Sequence, residues 1–181
     1  LQNELKNQMI GHAYLFCGPR GTGKTTMARL MAKAVNCLNL AKNWEPCNEC
    51  ESCKNFSAGK LMDIIEIDAA SHTGVDNVRD NIINNARFTQ SISRYKVFII
   101  DEVHMLSISA FNALLKLLEE PPAHVIFILA TTEIHKVPLT IISRCQRFDF
   151  RRVAFKDLVE RLQYVVNREN IKVDKQFLEI V

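Results

Sequence analysis

The stretch Gly18-Pro19-Arg20-Gly21-Thr22-Gly23-Lys24-Thr25 constrains this chain more than any other. It satisfies G-x-x-x-x-G-K-[ST], directly follows the apolar run 12–17 and directly precedes helical periodicity over 24–36. A strand that enters a helix through a glycine-rich turn calls for a crossover onto a parallel sheet, so an α/β fold is expected. The glycines let backbone N–H groups curl around phosphate oxygens, and the helix N-terminus adds its positive dipole. Lys24 reaches the outer phosphates and also stabilises charge during reaction, while the Thr25 hydroxyl can hold Mg²⁺. Gly18, Pro19, Arg20, Gly21, Thr22, Gly23, Lys24, Thr25 and the adjoining Thr26 are therefore the candidate nucleotide-binding residues. The alternative is a glycine-rich turn with an incidental lysine.

Strand-like runs alternate with helical periodicity along the rest of the chain, without repeats or low-complexity segments. Strands are expected at 12–17, 63–68, 95–100, 124–130 and 147–150, their apolar content fitting a five-stranded parallel sheet. Besides 24–36, helices are expected over 75–88, with Val75, Val78, Ile82 and Ala86 on one stripe, and over 108–120, with Phe111, Leu114, Leu115 and Leu118 on another. Pro121-Pro122 stops the latter. Two further helices, 157–167 and 174–181, open a second small region that ends before it can form a core. The division is thus a nucleotide-binding domain over 1–153, with a cysteine module at about 37–56, and the start of a helical domain over 154–181.

With 181 residues, 48% hydrophobic and 24% charged, the chain has enough apolar content for one or two packed domains. The longest apolar run, 125–130, is far short of the roughly 20 residues a membrane helix needs. No leader is evident, so no membrane association and a cytoplasmic location are expected. A net charge of +3 is too small to argue for nucleic acid by itself. Leu1 at the start and an unfinished apolar helix at the end suggest part of a longer polypeptide.

A second acidic site follows in Val97-Phe98-Ile99-Ile100-Asp101-Glu102, four apolar residues that deliver two carboxylates to a strand end. Open α/β sheets bind ligands at that edge. Asp101 can hold Mg²⁺ through water, and Glu102 can polarise the water that attacks a γ-phosphate. Alone, the pair reads better as a solvated acidic turn; beside a phosphate loop it argues for hydrolysis rather than nucleotide storage. Thr131 and Thr132 end the fourth strand, and Thr132 is the candidate to position the attacking water or a phosphate oxygen. Simple β-propensity is the competing explanation.

Six cysteines without a secretory signal suggest metal before disulfides. Cys37, Cys47, Cys50 and Cys53 crowd together and close on C-x₂-C-x₂-C beside Pro46, supplying four soft ligands for a structural tetrahedral Zn²⁺. An iron-sulfur cluster is the rival, although its usual run carries a fourth Cys and a Pro that are missing here. Cys17, inside a strand, is expected to be a small buried apolar residue.

Together these residues resemble the AAA+ ATPases and, within them, the clamp-loader subunits of bacterial DNA polymerase III of the gamma/tau family. The resemblance covers nearly the whole chain. It rests on His12-Ala13-Tyr14-Leu15-Phe16, the four-cysteine insertion, Asp68-Ala69-Ala70-Ser71, Asp101-Glu102-Val103-His104-Met105-Leu106, Leu114 to Leu118 with Glu119-Glu120-Pro121-Pro122, and Ser143-Arg144-Cys145. The intact Gly23-Lys24-Thr25 separates it from the delta-prime family, whose phosphate loop is generally degraded.

The resemblance implies a P-loop domain followed by a small helical lid. It implies a motor that binds and hydrolyses ATP with Mg²⁺ to load a sliding clamp on primer-template DNA, in a hetero-oligomer expected to be a pentamer with the other clamp-loader subunits. It also implies that Arg144 acts in trans on ATP held by a neighbouring subunit, where without the family it would read as a helix-end arginine bonding last-turn carbonyls. Arg79 and Thr73 match positions that lie along DNA in relatives, while His72 and Gly74 stand where relatives often carry basic side chains. An exposed helical arginine is otherwise simply solvated. A stator that binds ATP without hydrolysing it, and another AAA+ motor such as a branch-migration helicase, are the competing functions. Glu102 speaks against the first, and the cysteine module with Arg144 against the second.

Overall fold

The computed structural model describes residues 1–71, 79–88, 93–169 and 171. It divides into two compact units, Leu1–Phe150 and Arg151–Val181. The first begins with α1 (Gln2–Asn7), β1 (Ala13–Cys17), α2 (Lys24–Val35), α3 (Glu51–Ser57) and β2 (Ile64–Asp68). A π-helical turn (Arg79–Asn84) runs into the short α4 (Asn85–Arg87), then come β3 (Lys96–Asp101), α5 (Ile108–Glu119) and β4 (Val125–Thr131). The unit closes with α6 (Leu139–Ile142) and β5 (Gln146–Asp149). In the second unit α7 spans Phe155–Arg168 and buries none of its residues. The helix expected over 174–181 lies outside the described residues, as do Val75 and Val78 of the apolar stripe.

The five strands are all parallel, in the order β2-β3-β4-β1-β5. Each expected strand is present, with its bounds displaced by at most one residue at either end. Successive side chains of a strand point to opposite faces, so each central strand feeds two cores. Leu15, Phe98, Ile100, Phe127 and Leu129 pack on one face against Phe111, Leu114 and Leu118 of α5. Phe16, Val97, Ile99, Ile126 and Ile128 pack on the other against Ala28, Met31, Ala32 and Val35 of α2. Coverage on both faces is why these strands read as unbroken apolar runs.

Local chemistry sets the ends of α2 and α5. The Ser107 hydroxyl accepts from the N–H of Ala110 at 3.2 Å and caps α5, and Pro121 and Pro122 stop the chain from continuing it. Asn36, expected as the last residue of α2, instead follows it as a buried cap, its amide donating to the Tyr95 carbonyl at 3.0 Å and accepting from the Tyr95 N–H at 2.8 Å. That bridge ties the end of α2 to the start of β3.

The expected 75–88 helix differs in kind: its described part is a π-helical turn followed by only three α-helical residues. Ile82 and Ala86 are nevertheless fully buried, as the stripe requires. Apolar residues four apart suit a 3.6-residue turn and a wider one alike, so the periodicity does not distinguish them.

Candidate active site and metal centre

Parallel pairing brings the ends of the strands to one edge. Cys17 lies opposite Thr131 of β4, and Asp68 opposite Asp101. The phosphate loop, the two carboxylates and the paired threonines, far apart in the chain, therefore meet at the C-terminal edge of the sheet, where open α/β sheets bind ligands. Gly18 leaves β1 with φ 154°, and a Cβ there would fall 2.3 Å from the carbonyl oxygen of Phe150, which no side chain tolerates. Gly23, at φ 90°, turns the loop into α2.

Around this edge lies a cavity of about 600 Å³, lined by Arg20, Gly21, Gly23, Lys24, Thr25 and Thr26 from the loop side and by Asp68, Ala70, Asp101 and Glu102 opposite. Lys24 is largely buried, and its ammonium donates to the Pro19 carbonyl at 2.9 Å, as does the Thr22 hydroxyl at 2.8 Å. The Gly18 N–H donates to the Thr131 carbonyl at 3.2 Å, which binds the loop to β4. The Thr25 hydroxyl donates to Asp101 Oδ2 at 2.5 Å, and Asp101 Oδ1 accepts from the Glu102 N–H at 2.9 Å. Two hard oxygen donors side by side suit Mg²⁺.

Glu102 takes a left-handed backbone conformation, φ 47°, and Thr132 donates to its Oε2 at 3.0 Å. Of the two threonines at the end of β4, Thr132 is thus the one that engages the acidic pair. Thr131 is buried, and its oxygen accepts from the Glu133 N–H at 3.0 Å and lies 3.1 Å from His104 Nδ1. Sequence reasoning does not single out His104, Glu133 or Asp68 as site residues. The side chains of His104 and Glu133 meet only because β3 and β4 are neighbours; for Asp68 the available signal is its place at a strand end.

Arg144 is not among the residues lining the cavity. Its side chain is 34% exposed, ion-paired with Glu119 at 2.6 Å and donating to the Thr140 carbonyl at 2.7 Å. The carbonyl contact is the helix-end geometry expected of such an arginine outside the family. Thr73 lies outside the described residues, as does the side chain of Arg79, whose backbone opens the π-helical turn. A second cavity of about 560 Å³ runs between α1, α2 and β5, walled by Leu5, Met27, Met31, Trp44, Phe148 and Phe150.

The sulfurs of Cys37, Cys47, Cys50 and Cys53 lie within 4.8 Å of one another. Cys37 stands 3.6 Å from Cys47, 4.0 Å from Cys50 and 3.7 Å from Cys53, whereas four Zn–S bonds in a tetrahedron give edges of about 3.8 Å. Backbone N–H groups of Cys47, Cys50 and Cys53 point at the sulfurs of Cys37, Cys47 and Cys50, and the last of these contacts caps α3. Burial opposes ionisation of Cys50, but N–H groups of Cys53 and Leu38 and the adjacent thiols override it and bring its pKa to about 6. Burial instead pushes Cys53 up to about 12. Such a cluster can hold one soft ion with every position filled by protein. Cys17 is buried, and burial raises both its pKa and that of Cys145, the latter to about 12.

The sequence matches the family described as DNA polymerase III, delta subunit over residues 1–154. It is 59% identical over 181 residues to DNA polymerase III subunit tau of Bacillus subtilis, covering 100% of this chain and 32% of that protein. The subunit tau of Escherichia coli is 45% identical over 181 residues, with 100% and 28% covered. The chain thus spans about a third or less of these two curated relatives. Among solved structures, a gamma subunit-related protein of Thermotoga maritima superposes with a TM-score of 0.58 at 21% identity, over 88% of this chain and 48% of that one. The RuvB Holliday junction branch migration motor of the same organism gives 0.62 at 17% identity, over 99% and 51%. The fold is accordingly that of the AAA+ P-loop domains. Among the described residues no helix is long and apolar enough to cross a membrane.

Proposed function

The chain belongs to the DNA polymerase III delta subunit family, and from that premise we propose that it is the ATP-hydrolysing part of a gamma/tau-type clamp-loader subunit. The observation that carries this reading is the meeting of Thr25, Asp101, Glu102 and Thr132 beside an intact phosphate loop at one sheet edge. A stator needs the loop but not a carboxylate oriented by a strand-end hydroxyl. A branch-migration motor shares the fold, but the likeness there is 17% identity, against 59% to a tau subunit.

In this reading the loop N–H groups and Lys24 hold the triphosphate, and Thr25 and Asp101 would hold Mg²⁺, which would supply positive charge to offset that of the phosphates. Thr132 keeps Glu102 turned toward the attacking water. Glu102 accepts the proton as the water oxygen bonds to the γ-phosphorus and the bond to the β–γ bridging oxygen breaks, leaving ADP and phosphate. The apolar cavity beside α2 suits the base. The partners are the other loader subunits, a sliding clamp and primer-template DNA, with Arg79 and Thr73 proposed as phosphate contacts, and the place of action is the cytoplasm. Reconstituting the full-length protein with those partners tests this. ATPase activity should rise on adding clamp and DNA together, and clamp should become DNA-bound only while ATP turns over. Turnover indifferent to both would overturn the proposal.

The ion proposed for Cys37, Cys47, Cys50 and Cys53 is one structural Zn²⁺, which contributes to folding outright because the site does not exist in the unfolded chain. A Cys47→Ser/Cys50→Ser variant should contain no zinc, and amide exchange should rise across residues 37–57. If about 2 kcal/mol is lost, the melting midpoint should fall by roughly 4–8 °C. Elemental analysis that finds iron, or no metal in a reduced sample, would refute the assignment.

A further inference from the structure

We propose that His104 is a positioning residue for Glu102, wedged between that carboxylate and Glu133 so that the end of β4 fixes where the general base points. The proposal rests on Glu102 being that base. A glutamate leaving its strand in a left-handed backbone conformation, with its side chain 32% exposed, has rotamers to sample, and something must select one. Thr132 supplies a donor on one side of Oε2. The His104 ring supplies the other side, with Nδ1 3.4 Å from the same oxygen.

His104 is itself held firmly. Its side chain is only 6% exposed, and a polar ring buried that deeply needs partners at both nitrogens. Nδ1 lies 3.1 Å from the Thr131 hydroxyl and Nε2 lies 3.3 Å from Glu133 Oε1. The Thr131 oxygen accepts from the Glu133 N–H and still has its own proton and a second lone pair to offer Nδ1. Nε2 faces the Glu133 carboxylate on the other side of the ring. The ring thus takes a second position against Glu102 Oε2, beside the Thr132 hydroxyl, and restricts rotation of the carboxylate off that hydroxyl. Glu133 is a suitable anchor because the Lys136 ammonium, 2.8 Å away, holds its carboxyl below the usual range.

The test uses the full-length protein assembled with its partner subunits. His104→Ala should lower kcat about tenfold while KM for ATP and nucleotide affinity stay unchanged, because the ring touches the base and not the phosphates. In a Glu102→Gln background the same change should lower the residual turnover no further. Glu133→Gln, at a half-exposed position where folding is not at stake, should lower kcat about threefold, and not at all once His104 is Ala. Full kcat in Glu133→Gln and His104→Ala, beside a Glu102→Gln variant that no longer turns over, would overturn the role of His104 alone. Additive losses in the paired variants would do the same. If His104→Ala also loses nucleotide affinity through misfolding, Glu133→Gln decides: its selective fall in kcat supports the proposal and its absence overturns it. Undiminished turnover in Glu102→Gln would remove the base, and the positioning role with it.

Discussion

Lys24→Ala should lose nucleotide binding, whereas Glu102→Gln should bind ATP normally and fail to turn it over. The two residues line the same cavity but meet different parts of the reaction. The Lys24 ammonium sits on the loop with its amine on the Pro19 carbonyl, where a triphosphate would present its outer oxygens. A charge-assisted contact of that kind contributes about 2–3 kcal/mol, so affinity should fall roughly 30- to 150-fold. Glu102 stands on the opposite side, held by Thr132, and Gln preserves its shape while removing the basic oxygen. Loss of a positioned general base lowers turnover by about 10²–10⁴-fold. Equilibrium binding of a fluorescent ATP analogue and single-turnover hydrolysis, both on the assembled loader, separate the two. Equal loss of affinity in both variants would refute this division of labour.

How much of the site is legible in the sequence depends on whether its parts are near one another along the chain. The loop from Gly18 to Thr25 carries its own instructions, because glycine positions, lysine and helix start are consecutive. The same holds for Cys47, Cys50 and Cys53, whose spacing returns sulfur to the same side of a tight knuckle. Contacts between elements distant in the chain are not legible. Glu102 with Thr132, His104 with Thr131 and Glu133, and Glu119 with Arg144 all depend on which elements become neighbours. Periodicity and motif matching contain no such information. A strand order of β2-β3-β4-β1-β5 inserts β4 between the strand that feeds the phosphate loop and the strand that carries the acidic pair. That insertion makes the ends of β4 part of the site. The π-helical turn after residue 78 is hidden for another reason, since a four-residue apolar spacing is silent about turn width.

Arg144→Ala should leave its own subunit able to bind ATP and slow hydrolysis in the site next door. In this chain the guanidinium lies outside the phosphate cavity, turned toward Glu119 and the Thr140 carbonyl. Such contacts are weak restraints, because a surface pair this exposed contributes about 0–1 kcal/mol. The variant should therefore fold, and the arginine can exchange Glu119 for a phosphate when a neighbour arrives. An arginine supplied in trans is worth about 10³-fold or more in turnover, about 4 kcal/mol, so the phosphate contact outweighs the parked one. The guanidinium is permanently charged and offers a planar fork of donors, which is why lysine should not substitute fully. Loaders assembled from Arg144→Ala and Lys24→Ala subunits in defined order provide the measurement. If Arg144 acts in trans, placing the Arg144→Ala subunit against an intact ATP site should silence that site. The reverse order, in which it faces a site already emptied by Lys24→Ala, should cost little more than Lys24→Ala alone. Loss confined to the ATP site of the mutated subunit, whatever its neighbour, would show that the arginine works in cis and that the helix-end contact with Thr140 is its whole role.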